Sequence, residues 1–331
     1  MKIGILGAGG WGSALSIILT QNNHDVIIWA FENNVVEEIN YHKKNSVFLA
    51  DVQLPKTLSA TNEPNDLINC DTYIITIPTA YLRQVLIGFN DIIKNKIIIS
   101  GTKGIEKSTL LRVSELLIND FGIKPENFSV LTGPSHAEEV ARFVPTTVVA
   151  ASENLDLARE VQRIFSTSTF RVYNSSDVIG CEIGGALKNI IAIAAGMIDG
   201  LKMGDNTKAA LITRGLAEIS RLGVALGANP LTFSGLSGLG DLFVTCNSHL
   251  SRNRYIGEQI GKGKKLNEII SEMKMVAEGI NTTESAFFLG KKHGVEMPIT
   301  EQIYKILFED THPLSALNEL MTRRTRREWW W

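Results

Sequence analysis

The sequence predicts an α/β domain with a mostly parallel sheet, followed by an all-helical domain. Three observations support this order. A short apolar strand at the start runs into closely spaced glycines, apolar runs then alternate with helix-like segments to about residue 173, and the remainder is helical with almost no strand pattern. Alternation of this kind indicates a sheet covered by helices. We place the first domain at residues 1–175 and the second at residues 176–331.

The first element is the strand 2–6, which leads into glycines spaced G-x-G-x-x-G and then into an apolar helix. In such a unit Gly7 would permit the tight turn, Gly9 would let the backbone approach a pyrophosphate, and Gly12 would let the helix pack closely on the sheet. The pyrophosphate would sit on free N–H groups at the positive end of the helix. This context predicts a dinucleotide-binding, Rossmann-like unit, and the alternative is a glycine-rich turn that binds no nucleotide.

The second strand, 25–29, ends in the sequence Trp29-Ala30-Phe31-Glu32. An acid at this position would hydrogen-bond the adenosine ribose, whereas an arginine would favour a 2′-phosphate. Because Phe31 and Glu32 stand here without an arginine, the sequence favours NAD over NADP. The alternative is a loop acid without a ligand.

A secretory signal is the other interpretation of the first 19 residues, since Met1 and Lys2 precede an apolar stretch. Five glycines and Trp11 interrupt that stretch, and no convincing small-residue cleavage site follows before residue 25. We therefore favour the strand.

Five further apolar runs are predicted as strands: Tyr73–Ile77, Ile97–Ser100, Ser129–Leu131, Thr147–Ala150 and Phe170–Tyr173. Pro78, Gly101 and Gly133 each follow one of them, and ligands bind at the carboxyl ends of strands in open α/β sheets. We expect these ends to form the cofactor cleft.

Two of these strand ends are followed by residues that suit an anionic ligand. Lys103 lies just past one strand and would supply a cation to the cleft. After the other, Ser135 and Glu138 have capping-box spacing, so we expect a helix to begin there and to direct N–H donors into the cleft. His136 is expected to be exposed.

The predicted second domain contains six long helical segments, at about 177–200, 205–226, 250–260, 265–275, 281–292 and 298–308. The first is apolar nearly all round, which is typical of a buried helix. Lys188 therefore sits where an ammonium is costly and where burial favours the neutral form that proton transfer needs. The alternatives are a lysine that snorkels to the surface or one paired with a structural carboxylate.

Two later segments also contain candidate site residues. Asp241 follows a glycine-rich stretch and would either hold a hydroxyl or orient a lysine, or act as a helix N-cap. Ser251 looks like an N-cap, which places Arg252 and Asn253 in the first turn of a helix. An arginine at a helix N-terminus resembles a phosphate site, and a solvated basic helix start is the alternative.

Composition excludes several classes of protein. The 331-residue chain is 44% hydrophobic and 21% charged with a net charge of −2, which is typical of a soluble globular protein and does not favour nucleic acid. Its three cysteines lack metal-ligand spacing and suit a reducing cytoplasm, so we expect no metal site. The longest apolar run, 190–198, is shorter than a membrane span, so we expect no stable membrane insertion.

The C-terminal segment 323–331 combines arginines with three tryptophans. This composition is compatible with a membrane-surface anchor, but a short stretch without periodicity is more typical of a frayed terminus.

Taken in order, these segments resemble the bacterial NAD(P)-dependent glycerol-3-phosphate dehydrogenases. The matching stretches are Gly7-Ala8-Gly9-Gly10-Trp11-Gly12, Thr102-Lys103-Gly104, Gly133-Pro134-Ser135, Gly184-Gly185-Ala186-Leu187-Lys188-Asn189, Gly238-Leu239-Gly240-Asp241, Ser251-Arg252-Asn253-Arg254, Val276-Ala277-Glu278-Gly279 and Met297-Pro298-Ile299-Thr300-Glu301. The resemblance covers nearly the whole chain.

The resemblance implies reversible hydride transfer between a nicotinamide cofactor and the pair dihydroxyacetone phosphate and sn-glycerol 3-phosphate, for phospholipid synthesis. It makes Lys188 the general acid/base, supported by Asp241, and a homodimer is expected. The substrate would be bound by Lys188 and Asp241 together with Lys103, Gly133, Ser135, Ser251, Arg252 and Asn253. The cofactor would be bound by Gly7, Gly9, Gly10, Trp11, Gly12, Phe31, Glu32, Lys103, Ala137, Arg252, Val276 and Glu278.

One departure from the bacterial pattern concerns the cofactor. Many bacterial members carry an arginine or histidine where this chain has Phe31, and the sequence Trp-x-Phe-Glu looks more like the NAD-specific eukaryotic relatives.

Two other functions are weighed against this one. A β-hydroxyacid dehydrogenase also combines a Rossmann domain, a helical domain and a helix-borne lysine. A dinucleotide-sensing module without chemistry would leave the buried Lys188 unexplained.

Overall fold

The computed structural model describes residues 1–273, 276–325 and 327–328. It divides into two compact units, of which the first holds Met1–Lys103 and Leu111–Glu182 and the second holds Gly104–Leu110 and Ile183–Trp331. This division differs from the predicted boundary after residue 175, because it lies at 182/183 and because the short segment 104–110 belongs to the second unit. That segment is held there by long-range contacts: Ser285 donates to the Ile105 carbonyl at 3.3 Å, and Lys107 pairs with Glu284 at 2.8 Å.

The first unit is built on one twisted sheet, which contains eight strands among the described residues, in the order β3-β2-β1-β4-β5-β6-β7-β8. All neighbouring strands are parallel except β6 and β7, which are antiparallel. The fold class predicted from the sequence is thereby confirmed. The strands are β1 Lys2–Leu6, β2 Asp25–Trp29, β3 Ser59–Thr61, β4 Thr72–Ile75, β5 Ile97–Ser100, β6 Phe128–Thr132, β7 Thr146–Ala151 and β8 Phe170–Ser175.

Helices cover both faces of this sheet, and each face has its own apolar core. Alternate residues of one strand point to opposite faces, so Ile5 packs in one core while its neighbour Leu6 packs in the other. Because both faces are buried in the middle of the sheet, strands there such as β1 and β5 are nearly continuous apolar runs, whereas the edge strand β8 alternates. The helices of this unit are α1 Gly10–Gln21, α2 Asn33–Glu37, α3 Thr79–Ile87, α4 Asn90–Ile93, α5 Val113–Phe121, α6 Ala137–Ala141 and α7 Leu155–Phe165.

Helix α8, Val178–Gly200, begins in the first unit and is anchored there by a buried carboxylate. Glu182 pairs with Arg112 at 2.6 Å and accepts hydrogen bonds from the backbone N–H of Ser114 at 2.8 Å and from its hydroxyl at 2.6 Å. Burial raises the pKa of Glu182, against the opposing effect of Arg112. The carboxylate therefore fixes the start of α8 against the start of α5.

The elements of regular structure in the described part of the second unit are helices. After α8 it contains α9 Asp205–Ala225, α10 Asp241–Asn247, α11 Arg252–Gly261, α12 Leu266–Glu272, α13 Glu278–Lys292, α14 Pro298–Phe308 and α15 Pro313–Thr322. Helices α10 and α15 are absent from the sequence-based prediction, and the other bounds differ from it by a few residues. The end of α15 leaves 323–325 and 327–328 without regular structure, and the three terminal tryptophans lie outside the described residues.

Helix α8 is buried along almost its whole length. By length and composition it is apolar enough to cross a membrane, but 94% of its most apolar window is buried inside the protein. A core helix has this property, and the prediction of a buried helix around Lys188 is confirmed.

Candidate active site

The glycine-rich turn between β1 and α1 has the geometry that its spacing predicts. Gly7 has a φ of +112°, a conformation that other residues rarely adopt. A β-carbon placed on Gly12 would overlap the Gly7 carbonyl oxygen and lie 2.7 Å from Thr76 Oγ1, so only glycine fits at this close contact. A β-carbon on Gly9, by contrast, would meet no atom within 4 Å. Open space therefore lies over the turn at the position where a ligand would approach the backbone.

The start of α1 offers hydrogen-bond donors to such a ligand. Gly9 is its N-cap and no side chain caps it, and the first N–H groups of a helix have no partner within the helix. Trp11, in the first turn, packs against Gly101 at the end of β5, and its buried indole N–H has no hydrogen-bond partner among the residues that the structure describes. Open space, an uncapped helix N-terminus and an available donor fit the pyrophosphate and amide groups of a dinucleotide.

Two predicted cofactor residues lie close to this turn in the first unit. The Ala137 β-carbon is 3.6 Å from the position of a β-carbon on Gly10. Phe31 and Glu32 follow β2, whose last residue pairs with the last residue of β1, and Phe31 is 78% exposed. Both side chains are accessible at the sheet edge that carries the glycine turn.

Lys103, Gly133 and Ser135 are brought together by the ends of β5 and β6. Lys103 Nζ donates to the Gly133 carbonyl at 3.1 Å, and Ser135 Oγ donates to the same oxygen at 2.9 Å. The predicted capping box of Ser135 and Glu138 is wrong, because α6 begins at Ala137 and no side chain caps it. The serine hydroxyl bonds to the preceding turn instead. His136, the N-cap, is half-buried rather than exposed.

Lys188 forms a buried ion pair with Asp241 in the second unit. Only 7% of Lys188 is exposed and Asp241 is fully buried, so the interpretation of a lysine that snorkels to the surface is wrong. The N-cap interpretation of Asp241 is also wrong: the N-cap of α10 is Gly240, and Asp241 is the first helical residue after a π-helical turn, Leu236–Gly240. Its carboxylate is directed to Lys188.

The pair places a cation and an anion together in the protein interior. Removing either side chain would leave the other charge buried without a partner, which is strongly destabilising. Groups of this kind cluster at functional sites, although buried pairs also occur as structural elements.

The N-terminus of α11 has the predicted cap. Ser251 Oγ accepts the backbone N–H of Arg254 at 3.2 Å. Asn253 Oδ1 accepts the N–H of Gly279 at 3.0 Å, and Arg252 donates to the Val276 carbonyl at 2.9 Å. The segment with Val276 and Glu278 is thus adjacent to this turn, and the exposed Arg252 side chain remains accessible to a ligand.

Sequence reasoning missed a charge cluster in this unit that is centred on the buried Arg254. Arg254, only 7% exposed, donates from Nε to Asp199 Oδ2 at 2.8 Å and pairs through Nη2 at 2.7 Å. Asp199 also pairs with Lys208 at 2.9 Å. The sequence signal that could have indicated this cluster is Asp199 itself, an acidic residue near the end of a mostly apolar helix.

Comparison with known proteins agrees with the fold and the motifs. The family described as NAD-dependent glycerol-3-phosphate dehydrogenase matches with its N-terminal part at residues 2–158 and its C-terminal part at residues 177–318. The chain is 49% identical to "Glycerol-3-phosphate dehydrogenase [NAD(P)+]" of Citrifermentans bemidjiense over 332 residues, with 99% of this chain and 98% of that protein covered. It is 48% identical to the protein of the same name from Lysinibacillus sphaericus, with the same coverage.

A solved structure is similar along its whole length. The crystal structure of glycerol-3-phosphate dehydrogenase from Coxiella burnetii superposes with a TM-score of 0.93 at 38% identity and covers 97% of this chain and 99% of its own. With the Rossmann turn in one unit and the buried Lys188–Asp241 pair in the other, the chain belongs to the NAD(P)-dependent glycerol-3-phosphate dehydrogenases.

Proposed function

We propose that Lys188 is the general acid/base in the interconversion of dihydroxyacetone phosphate and sn-glycerol 3-phosphate that this oxidoreductase carries out with NAD(P)H. The observation that carries this role is the buried ion pair with Asp241 on the apolar helix α8. A charged lysine is costly at such a position, and the carboxylate offsets that cost while it holds the ammonium in one orientation.

The bound nicotinamide supplies the hydride for reduction and accepts it for oxidation. In the reductive direction Lys188 donates a proton from Nζ to the C2 oxygen of the ketone as negative charge grows there. In the oxidative direction it takes the proton from the C2 hydroxyl. Asp241 is fully buried, so it remains close to Lys188 and away from bulk water throughout.

The phosphate end of the substrate is assigned to the N-terminus of α11. Ser251, Arg252 and Asn253 supply a capped helix start, a guanidinium and an amide, which together suit a phosphate dianion. Lys103, Gly133 and Ser135 are assigned to substrate binding as well, with Lys103 also toward the cofactor.

The cofactor is assigned to the glycine turn with Gly10, Trp11 and Ala137, and to Arg252, Val276 and Glu278. The exposed Phe31 and Glu32 at the end of β2 favour NAD over NADP, because a carboxylate there suits a ribose hydroxyl and repels a 2′-phosphate.

The physiological setting is assigned from the family resemblance and the composition. We assign the enzyme to the supply of glycerol 3-phosphate for phospholipid synthesis in the cytoplasm, as a homodimer that binds no nucleic acid and does not insert stably into membranes. Cys70, Cys181 and Cys246 are buried and form no disulfide, which suits a reducing compartment.

The test replaces Lys188 by alanine and measures reduction of dihydroxyacetone phosphate with NADH and with NADPH. Loss of a general acid/base lowers kcat by about 10²- to 10⁴-fold while NADH binding is retained. The exposed Lys292, replaced in the same way, is the matched control and keeps full turnover.

Because Lys188→Ala leaves a buried carboxylate unpaired, the double variant Lys188→Gln with Asp241→Asn is made alongside it, and folding is checked by circular dichroism. Turnover close to wild type in a folded Lys188 variant refutes the assignment. Tight NADH binding without turnover in the wild-type protein would indicate a sensing module instead.

A further inference from the structure

Helices α8 and α11 of the second unit pack backbone against backbone. A β-carbon on Gly196 of α8 would overlap the Arg254 carbonyl oxygen and lie 2.7 Å from the Glu258 nitrogen. A β-carbon on Gly257 of α11 would overlap the Ile193 carbonyl oxygen. The obstructing atoms belong to the backbone, so no side-chain rotation makes room for a larger residue.

The contact continues for one more turn on each helix. Gly200 lies four residues after Gly196, and a β-carbon there would lie 2.9 Å from the Gly261 Cα, four residues after Gly257. Two glycines four residues apart on each helix fall on the same face, so the two faces meet along a continuous stripe. The stripe fixes both the distance between the helices and their register.

A partly buried ion pair locks this register. Asp199, next to Gly200 on α8, accepts a hydrogen bond from Arg254 Nε at 2.8 Å and pairs with Nη2 of the same guanidinium, in the first turn of α11, at 2.7 Å. Arg254 is only 7% exposed, and its backbone N–H is the one that Ser251 caps. The guanidinium therefore ties the end of α8 directly to the turn assigned to the phosphate.

A third contact joins the same two regions near Lys188. A β-carbon on Gly279 would lie 2.6 Å from Asn253 Oδ1 and 2.9 Å from the carbonyl oxygen of Asn189, the residue after Lys188. Gly279 also donates its N–H to that Asn253 oxygen. The hydrogen bond from Gly279 therefore holds the Asn253 side chain next to α8, the helix that carries Lys188.

We propose that this glycine-packed helix pair, locked by Asp199 and Arg254, sets the distance between Lys188 and the phosphate-binding turn and so selects substrates with one carbonyl-to-phosphate spacing. Lys188 lies eight residues before Gly196, about 12 Å along the helix axis, so a change in register at the stripe displaces the turn relative to the lysine. Asp199 and Arg254 act as positioning residues. The proposal rests on the roles assigned above to Lys188 and to Ser251–Asn253.

The test compares dihydroxyacetone phosphate with dihydroxyacetone, which lacks the phosphate, in Asp199→Asn and Gly257→Ala. The measured quantity is the ratio of the two kcat/KM values. We expect this ratio to fall about 10- to 100-fold, since displacement of a binding group by an ångström costs on this order. The rate with dihydroxyacetone stays within about threefold of wild type, because Lys188 and Asp241 are intact.

The matched control is Gly290→Ala, a buried helical glycine of α13 whose β-carbon would come closest to the flexible end of Met297, at 2.9 Å. It keeps the wild-type ratio. Circular dichroism and NADH binding show whether each variant is folded. If Gly257→Ala does not fold, the result with Asp199→Asn decides the test, because asparagine has the size of aspartate and keeps one oxygen acceptor.

A wild-type ratio in a folded Asp199→Asn, or an equal loss with both substrates, overturns the proposal. Failure of the acid/base assignment is distinguishable, because it is seen as undiminished turnover in Lys188→Ala whatever the ratio in the positioning variants.

Discussion

Replacing Gly9 or Gly12 by alanine should have opposite effects: the first should weaken cofactor binding and spare stability, and the second should lower stability. Gly9 has φ −66° and ψ 177°, a conformation that alanine adopts freely, and a β-carbon there meets nothing within 4 Å. The free energy of unfolding of Gly9→Ala should therefore stay within about 1 kcal/mol of wild type. The new methyl group, however, fills the space through which a pyrophosphate would reach the backbone.

The loss in cofactor binding is estimated from the hydrogen bonds that the methyl group prevents. One or two bonds to a charged oxygen contribute about 2 to 4 kcal/mol in total, which corresponds to roughly a 30- to 700-fold rise in the Kd for NADH. Gly12→Ala should act in the opposite way. Its β-carbon would overlap the Gly7 carbonyl oxygen, so we expect a loss of stability of about 2 kcal/mol or more.

The assays are urea unfolding for stability and NADH fluorescence titration for binding, on both variants. Wild-type NADH affinity in Gly9→Ala would show that no pyrophosphate lies over this turn. Wild-type stability in Gly12→Ala would show that the close contact of helix and strand is not essential.

Three further predictions concern buried charge and cofactor choice. Burial raises the pKa of Glu218 to about 7 from 4.5, so the wild-type protein should lose about 3 kcal/mol of stability as the pH rises through this interval. Urea unfolding at pH 5 and pH 8 should show that Glu218→Gln lacks this loss. The same change in stability with pH in the variant and the wild type would contradict the prediction. Arg112→Ala leaves Glu182 buried without its cation and should cost about 3 to 5 kcal/mol, measured by urea unfolding, with an unchanged midpoint as the contrary result. Glu32→Ala removes the repulsion between this carboxylate and the 2′-phosphate of NADPH, which is worth about 1 kcal/mol for two charges 4 Å apart in water. The ratio of kcat/KM with NADPH to kcat/KM with NADH should therefore rise roughly fivefold. An unchanged ratio would mean that the carboxylate does not face the ribose.

Local patterns in the sequence predicted the elements that depend on local chemistry. The strand 2–6, its glycine turn and the cap at Ser251 follow from residue types at fixed spacings, and the structure contains all three. Strand β3, Ser59–Thr61, has only three residues and no apolar run, so no periodicity marks it. Helix α15 was missed although Pro313 occupies its first turn, a start signal that sequence reasoning could have used.

Long-range contacts account for the rest. Helix α10 starts in a glycine-rich stretch with poor helix propensity, and its first residue, Asp241, is directed to Lys188 far along the chain. The segment 104–110 belongs to the second unit through long-range contacts such as those with partners near residue 285, about 180 positions away. No window of local sequence contains both members of such contacts.

The buried carboxylates among the described residues have partners of different kinds. Glu182 and Glu218 each accept backbone N–H groups at the start of another helix, as Glu218 does from Ile299 at 2.6 Å and Thr300 at 3.2 Å. Such a carboxylate accepts hydrogen bonds from N–H groups that would otherwise have no partner, so its burial stabilises the start of the helix. Lys188 and Asp241 form a buried ion pair with each other, and replacing both members of such a pair by well-packed apolar residues often costs little stability. The proton transfer proposed for Lys188 would therefore account for this pair where stability alone does not.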